Sequence, residues 1–346
     1  MVSLPPGGAC RMNGPGAALH CPQCQGTVTL GAEAYGCRAC GAQYPVRDGV
    51  LRMVTGLDRD QRQVRDAFDF EHRRFEQARY LRITPRLSED WLEDVRLPRE
   101  FFRGLTVLDV GCGTGRWSYA MASLGARVVA VDVGDAAVEQ TRRITQGVGE
   151  VEVIQASLFA LPFRPEQFDF VVSWGVLHHT IDTLAAFRAI TPLVRPGGHL
   201  HVMVYERRNP VKVLGTEALR VVLRRLSPEA RYRFCGRLVI KNRLVFNALR
   251  GVIACIPASD LTGQLDAETA QFGLYDWYSP QFNHLHSINE VRGWFEQQGF
   301  DDVAVTTPIK YHRPLDRFRF GECGGSISIR GRRLGLARQA VIGRVA

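Results

Sequence analysis

Three glycines at alternate positions follow a short apolar stretch in the segment Leu108-Asp109-Val110-Gly111-Cys112-Gly113-Thr114-Gly115. This pattern predicts a buried strand, a tight turn and the start of a helix, because glycine permits positive φ and close approach to a ligand. Apolar strands then alternate with helices, with strands at 127–132, 151–154, 168–173 and 199–205 and helices at 115–124, 135–146 and 182–193. The alternation predicts an α/β fold with a doubly wound, mainly parallel sheet.

The spacing of these glycines differs from that of a dinucleotide-binding turn, whose last glycine comes one residue later, where this chain has Arg116. Asp109 would also repel phosphate groups, whereas it suits a cationic ligand. Asp132 ends the second strand, seventeen residues after Gly115, where a carboxylate can accept hydrogen bonds from ribose hydroxyls. A positively charged nucleoside without phosphates fits these features, and S-adenosylmethionine is such a molecule.

The segment 105–205 resembles the class I S-adenosylmethionine-dependent methyltransferases, in particular the quinone-biosynthesis branch. The matching blocks besides 108–115 are Val-Ala-Val-Asp (129–132), Leu-Pro-Phe (161–163), Phe-Asp-Phe-Val-Val-Ser (168–173), Gly-Val-Leu-His-His-Thr (175–180) and Arg-Pro-Gly-Gly (195–198). The resemblance implies a Rossmann-like sheet of seven strands, one of them antiparallel. A helix at 289–298 and strands at 300–306 and 326–329 are expected to complete that sheet.

The resemblance also implies which residues hold the cofactor. The three glycines would border its methionine part, Asp132 its ribose, and residues 156–158 its adenine. The family commonly has Asp where Ser157 stands, so either adenine binding is weaker or the Ser157 hydroxyl replaces the carboxylate. Trp174 either covers the sulfonium with its aromatic face or is an ordinary core residue. The expected cofactor-binding residues are Asp109, Gly111, Cys112, Gly113, Gly115, Asp132, Ala156, Ser157, Leu158 and Trp174.

Two pairs of cysteines, Cys21-x2-Cys24 and Cys37-x2-Cys40, lie near the N-terminus. Four thiolates at this spacing predict a closed tetrahedral Zn²⁺ site, in which the metal has a structural role. Asp48-Gly49 then predicts a tight hairpin. The unit 21–54 resembles the zinc-ribbon module that is fused to many methyltransferases, and a related module is a small activator subunit of eukaryotic methyltransferases. Whether the ribbon contacts substrate is left open.

Two histidines follow the fourth strand, where a methyl acceptor would approach the cofactor. One of them could take a proton from the acceptor, or could pack and bond a backbone carbonyl. We expect His179 to be the better base candidate of the pair His178 and His179. A second segment, Asp276-Trp277-Tyr278-Ser279-Pro280, resembles one in a bacterial methyltransferase subgroup that also bears the zinc ribbon. It is expected to be a loop in which Asp276 and Tyr278 face the acceptor, the alternative being a folded structural turn.

The formal charge of +9 is concentrated in one segment, since residues 207–250 hold twelve basic and two acidic residues. This helical insert predicts a basic amphipathic cap, with contact to an acidic substrate, a membrane surface or RNA as alternatives. RNA is disfavoured because aromatic and basic residues do not interleave as in RNA-binding platforms. A preceding helix at 58–80 would place Val64, Phe68, Phe75 and Ala78 on one face.

These features together predict an S-adenosylmethionine-dependent methyltransferase that acts on a small-molecule acceptor. The alternatives are an rRNA or tRNA base methyltransferase and a non-catalytic binding or activator protein. The sequence shows neither an export signal nor an apolar run that could span a membrane, so a cytoplasmic location is expected, and the oligomeric state is open. The expected units are a flexible tail (1–20), the zinc ribbon (21–54), a helical linker (55–104), the cofactor-binding core (105–205), the basic helical cap (206–270), a substrate loop with the completion of the sheet (271–333) and a second tail (334–346).

Overall fold

The fold is built on one mixed sheet, seen in a computed structural model that describes residues 18–31, 34–74, 82–207, 210–239, 267–309, 322, 323 and 325–335. Both expected tails lie largely outside the described residues, and so do residues 75–81 of the expected linker helix and 240–266 of the basic cap. In the described part of the chain, the sheet has eleven strands. No described helix is long and apolar enough to cross a membrane.

The strands of the sheet are, in chain order, β1 (Val28–Leu30), β2 (Ala34–Cys37), β3 (Gln43–Arg47), β4 (Val50–Arg52), β5 (Thr106–Val110), β6 (Arg127–Asp132), β7 (Glu150–Gln155), β8 (Phe168–Trp174), β9 (Val194–Tyr205), β10 (Phe300–Val305) and β11 (Ser326–Arg333). The helices are α1 (Arg59–Arg74), α2 (Leu87–Val95), α3 (Arg116–Ser123), α4 (Asp135–Ile144), α5 (Thr183–Ile190), α6 (Pro210–Leu223), α7 (Pro228–Leu238), α8 (Ala267–Tyr278) and α9 (Ile288–Gln297).

Seven strands form the central part of the sheet in the order β7-β6-β5-β8-β9-β11-β10. The pairs from β7 to β9 are parallel, whereas β11 runs antiparallel to both β9 and β10. Side chains alternate between the two faces, so that Val107 packs in one hydrophobic cluster and Leu108 in the other. The seven-stranded mixed sheet with one antiparallel strand, which the resemblance implies, is confirmed.

The cysteine-containing unit extends this sheet instead of standing apart from it. Strands β1 to β4 form an antiparallel meander, and β4 pairs in parallel with β7 through Leu51 and Ile154. Asp48 and Gly49 have φ of 53° and 75°, the left-handed conformations that a two-residue hairpin needs. Leu51 is fully buried in the same cluster as Ile154, so the ribbon shares its hydrophobic core with the central sheet.

Helices α6, α7 and α8 form a separate cluster beside the carboxyl edge of the sheet, built around Leu223, Cys235, Phe272 and Tyr275. The expectation of a loop across the whole Asp276-to-Pro280 block is wrong, because α8 continues through Tyr278. The last turns of α8 are apolar on nearly all sides, which is typical of a buried helix. Most of this block is therefore held rigidly against α6 and α7.

Candidate active site

A cavity of about 650 Å³ opens at the carboxyl ends of β5, β6, β8 and β9, where doubly wound sheets bind ligands. Its volume lies in the range that is common for small-molecule sites, about 300–1,000 Å³. The turn after β5 and the segments after β6 and β7 line the part that we call the cofactor side. Residues after β8 and β9, together with α1 and α8, line the part that we call the acceptor side.

The glycine turn has positive φ at all three glycines, namely 77° at Gly111, 54° at Gly113 and 82° at Gly115. A Cβ atom on Gly111 would lie 2.3 Å from Val176, and one on Gly115 would lie 2.6 Å from Thr141. At Gly113 the nearest atom would be 3.6 Å away, and both Gly111 and Gly113 line the cavity. Gly115 does not line it and instead permits close packing against α4.

Asp132 lines the cavity at the end of β6 with a fixed carboxylate. The backbone N–H of Gly113 donates to its Oδ2 at 3.0 Å, and that of Gly134 donates to its Oδ1 at 2.8 Å. Each carboxylate oxygen can accept a further hydrogen bond. The geometry therefore suits a ligand that carries two adjacent hydroxyls, such as a ribose.

Asp109 and Cys112, both expected in the cofactor site, lie at different depths. Asp109 is buried below the turn, where the Ser118 hydroxyl donates to its Oδ2 at 2.6 Å. Burial raises the pKa of Asp109 to about 7, and the residue is not among those that line the cavity. Cys112 does line it, with its thiol 3.4 Å from the Thr141 hydroxyl.

Residues 156–159 line the cavity beyond β7. The Ser157 hydroxyl accepts a hydrogen bond from the backbone N–H of Phe159 at 3.3 Å and caps a short 3₁₀ turn. Its own proton can still be donated to a ligand. Phe159, whose aromatic side chain is 37% exposed at the cavity, was not among the expected cofactor-binding residues. The available signal was an aromatic residue two positions after Ser157.

Trp174 lines the cavity at the end of β8, with its indole held in place. Its Nε1 donates to Asp94 at 2.9 Å, and His201 and Ser328 also bond this carboxylate. The Arg116 guanidinium lies 5.2 Å from the Trp174 ring. This network orients the indole at the cavity wall.

On the acceptor side, His179 has a defined tautomer. Its Nδ1 lies 3.0 Å from the carbonyl oxygen of Phe282, and since a carbonyl can only accept, Nδ1 carries the proton and Nε2 a lone pair. Nε2 has no hydrogen-bond partner within the described residues. Burial lowers the pKa of His179 to about 3, so the imidazole is neutral. His178 is also buried but does not line the cavity.

Tyr205, Asp276 and Trp277 stand next to His179. The Tyr205 hydroxyl donates to the Asp276 carboxylate in a short hydrogen bond, and the Tyr205 ring stacks on Trp277 with centroids 5.1 Å apart. The centroids of the His179 and Tyr205 rings are 5.4 Å apart. Burial raises the pKa of Asp276 above its ordinary value. The expectation that Asp276 faces the cavity agrees with the structure.

Tyr278 does not face the cavity, contrary to expectation. It is fully buried in the cluster with Leu223 and Cys235, because one helical residue rotates the side-chain direction by about 100° and thus separates Tyr278 from both Trp277 and Asp276. Two histidines that follow this block, His284 and His286, have partners within the protein. His284 lies 3.1 Å from the Thr180 carbonyl, and His286 lies 2.8 Å from Glu290.

Helix α1 contributes five cavity residues that the sequence did not single out, namely Asp60, Gln61, Arg65, Glu71 and His72. Glu71 and His72 lie three and four positions after Phe68, hence on the same helix face, and titratable residues on the face of Val64 and Phe68 were the available signal. Glu71 is only 2% exposed, and burial raises its pKa well above its usual range. The Phe68 ring lies 5.2 Å from that of His179.

Arginines of the basic cap bind the backbone that follows α8. Arg220 is fully buried and donates to the carbonyls of Trp277 and Pro280, both at 2.6 Å. Arg224 donates to the Gln281 carbonyl and Arg231 to that of Ser279. These cations hold the wall of the acceptor side in place, and no described residue of α6 or α7 lines the cavity.

The four predicted cysteine ligands converge on one point, with all four sulfurs within 4.8 Å of one another. The Cys21–Cys40 and Cys24–Cys37 sulfur distances are 3.6 and 3.4 Å. A tetrahedral site with Zn–S bonds of about 2.3 Å requires sulfurs about 3.8 Å apart, so the cluster fits such an ion. The Tyr44 hydroxyl donates to Cys21 Sγ at 2.9 Å.

Comparison with known proteins gives a family match in the central part of the chain. Residues 108–202 match the family described as a methyltransferase domain. The ubiquinone biosynthesis O-methyltransferase of Pseudomonas putida is 36% identical over 143 residues, which cover 40% of this chain and 60% of that protein. The protein of the same name from Ruegeria pomeroyi is 36% identical over 142 residues, 40% of this chain and 56% of the relative. The chain thus spans less than two thirds of the length of these relatives.

Solved structures that are similar to this chain include two methyltransferases. Magnesium protoporphyrin IX methyltransferase of Synechocystis PCC 6803 is 17% identical, with a TM-score of 0.43 over 81% of this chain and 99% of that chain. A SAM-dependent methyltransferase of Methanosarcina mazei is 16% identical, with a TM-score of 0.38 over 67% of this chain and 93% of that chain. Similarity at this level carries no information about substrate.

Proposed function

We propose that this chain, in which residues 108–202 match a methyltransferase domain, is an S-adenosylmethionine-dependent enzyme that transfers a methyl group to a small-molecule acceptor. The observation that carries the proposal is the single cavity shared by Asp132 and His179. The four strands lie side by side in the order β6-β5-β8-β9. A cofactor bound at the carboxyl ends of β5 and β6 would therefore lie beside an acceptor bound at the carboxyl ends of β8 and β9. The relatives named as ubiquinone biosynthesis O-methyltransferases support a small-molecule acceptor.

The cofactor side would hold S-adenosylmethionine, which supplies an electrophilic methyl group when bound. The Asp132 carboxylate would accept from the ribose hydroxyls, and Gly113 would let the backbone approach the methionine part closely. Residues 156–159 would edge the adenine, with the Ser157 hydroxyl as a donor. Trp174, fixed by Asp94, would offer its aromatic face to the positive charge. The chain's main contribution is positioning, since a bound cofactor is already activated.

On the acceptor side, His179 would receive the proton that the acceptor loses on methylation. The Nδ1 proton is held by the Phe282 carbonyl, so Nε2 is the nitrogen that can accept. The imidazolium formed in this way would be stabilised by the buried carboxyl groups of Asp276 and Glu71, which line the same cavity. Such a proton transfer typically accelerates a reaction by about 10²–10⁴-fold.

We further propose that Cys21, Cys24, Cys37 and Cys40 hold a structural Zn²⁺ ion as four thiolates. A site with four protein ligands has no position left for substrate. The metal would secure the meander that adds β4 to the edge of β7, and its expected effect on the cavity is therefore indirect.

The alternative of an RNA base methyltransferase depended on the basic cap. Three of its arginines bind backbone carbonyls within the protein, which leaves less charge for phosphate contacts than the sequence suggested. The small-molecule acceptor is therefore the function that the site supports best. Contact of the cap with an acidic substrate or a membrane surface stays a prediction.

Two measurements test the proposal. Isothermal titration should show one S-adenosylmethionine per chain, and a cell extract incubated with methyl-labelled cofactor and enzyme should yield a labelled small molecule by mass spectrometry. The Asp132→Ala variant is the control for labelling by other enzymes in the extract. Label recovered in RNA in place of small molecules would support the alternative, and an absence of cofactor binding would refute a methyltransferase function altogether.

A further inference from the structure

Glu71 is the most unusual charged group in the cavity. It is 2% exposed and lines the cavity, yet it has neither a hydrogen bond nor an ion pair to any described residue. An isolated buried carboxylate costs several kcal/mol or more, which is why burial raises the pKa of Glu71. A cationic ligand in the cavity would offset that cost and favour the ionised carboxylate. The absence of a protein partner in the described part of the chain points to a partner that binds in the cavity.

A second carboxyl group, that of Asp276, lines the same cavity. Its charge acts on Glu71 in the direction that raises the pKa of Glu71 further. The Tyr205 hydroxyl bonds one oxygen of Asp276, which leaves the other oxygen able to accept from a ligand. Two carboxyl groups from separate helices, α1 and α8, therefore face a common space.

Aromatic rings surround these two carboxyl groups. Phe68 precedes Glu71 by one helical turn, Trp277 follows Asp276 directly, and all four residues line the cavity with Tyr205. Proteins bind organic ammonium ions with carboxylates and aromatic faces, because the negative charge of the carboxylate and the electron-rich face of the ring both attract a cation.

The cations at or near the described part of the cavity wall are engaged elsewhere. The charge of Arg220 acts on Asp276, but its guanidinium donates to the carbonyls of Trp277 and Pro280. Arg65 is paired with Asp66 at 2.7 Å, and the Arg116 guanidinium lies over the Trp117 ring at 3.9 Å. His179 on this side and His72, which lies next to Gly113, have pKa values lowered by burial and are neutral near pH 7. The acceptor side is thus acidic in character and unfavourable for an anionic ligand.

We propose that the acceptor side binds a protonated amine, held between Glu71 and Asp276 and flanked by Phe68, Tyr205 and Trp277. The acceptor class would then be a small arylalkyl or aliphatic amine, whose ammonium group passes one proton to a carboxylate of the pair before the nitrogen lone pair takes the methyl group and the carbon–sulfur bond of the cofactor breaks. Neutral or anionic molecules of the same shape would bind less well. The inference rests on the proposed function for its naming of the acceptor, but the binding preference can be measured without any methyl transfer.

The test uses three probes that share one ring and differ in charge, namely benzylamine, benzyl alcohol and benzoate. The full-length protein is first saturated with S-adenosylhomocysteine, and each probe is titrated at pH 7.5 by calorimetry or ligand-observed NMR. We expect benzylamine to bind about tenfold or more tightly than benzyl alcohol, as for a charge-assisted hydrogen bond, and benzoate to bind least. Glu71→Gln, which keeps the side-chain shape, should abolish this preference while S-adenosylhomocysteine affinity stays within about twofold.

Glu152→Gln is the matched control, because Glu152 is a largely buried carboxyl on β7 with a raised pKa that does not line the cavity. It should leave the amine preference unchanged, and Asp276→Asn should weaken it. Absence of any preference for benzylamine, including no binding of all three probes, would overturn the inference. A loss of S-adenosylhomocysteine binding in Glu71→Gln would also overturn it, by assigning the carboxylate to the ammonium group of the cofactor. The proposed function fails separately, if the wild-type protein does not bind the cofactor.

Discussion

Replacing His179 by a residue that does not titrate should remove one source of instability in acid. Burial lowers the pKa of His179 from 6.5 to about 3, whereas in the unfolded chain the imidazole titrates near 6.5. Below that pH the unfolded state takes up a proton that the folded state excludes. Because the unfolded state then binds more protons, the free energy of unfolding falls as the pH falls.

The size of this effect follows from the two pKa values. At pH 8 both states are deprotonated at His179, and the term is close to zero. A pH of 5 lies about 1.5 units below the pKa of the imidazole in the unfolded chain. Each of these pH units lowers the free energy of unfolding by about 1.36 kcal/mol, which gives about 2 kcal/mol of lost stability. Since the side chain is 2% exposed, no allowance for solvent screening is needed.

Urea denaturation of wild type, His179→Asn and His179→Gln at pH 8, 7, 6 and 5 measures this term. The two variants will differ from each other by a constant offset, since each fills the site differently. Both should nevertheless gain about 2 kcal/mol relative to wild type between pH 8 and pH 5. Stability curves that stay parallel to that of wild type would show that His179 titrates near its ordinary pKa in the folded state, and would contradict a pKa lowered by burial.

Three further predictions concern the cofactor, the metal and the acceptor wall. Asp132→Ala should weaken S-adenosylhomocysteine binding by about 1.5–3 kcal/mol through the loss of hydrogen bonds to a charged group, and unchanged affinity in calorimetry would exclude Asp132 from the cofactor site. Cys37→Ser should release the metal, seen by mass spectrometry, and, because the ribbon shares its core with the sheet, should also lower the melting temperature of the whole chain; retention of one zinc per chain would contradict the four-thiolate site. Asp276→Asn should lower turnover at least tenfold, about 1.4 kcal/mol in barrier, whereas Tyr278→Phe should change it by less than about twofold, and equal losses in both variants would contradict the different placement of the two side chains.

The sequence alone predicted the central fold and the turn and strand end that line one side of the cavity. Strand–helix alternation, the glycine turn and Asp132 are local patterns, and their spacing along the chain is directly related to their spacing in a parallel sheet. The convergence of the four cysteines was equally predictable from the sequence, since each Cys-x2-Cys pair needs only a tight turn to bring its two thiols together. The sheet of seven strands with one antiparallel strand came from the resemblance and is confirmed by the structure.

The tertiary structure decided which distant side chains enter the cavity. Glu71 reaches it because α1 crosses the carboxyl edge of the sheet, a placement that the sequence of α1 does not encode by itself. Tyr278 points away from the cavity although Asp276, two positions earlier, lines it. Two helical residues rotate the side-chain direction by about 200°. The sequence predicted the positive charge of the cap, but only the tertiary structure shows that Arg220 donates to backbone carbonyls. Such long-range contacts depend on how helices pack against one another, and periodicity within one helix indicates its buried face without naming the partner.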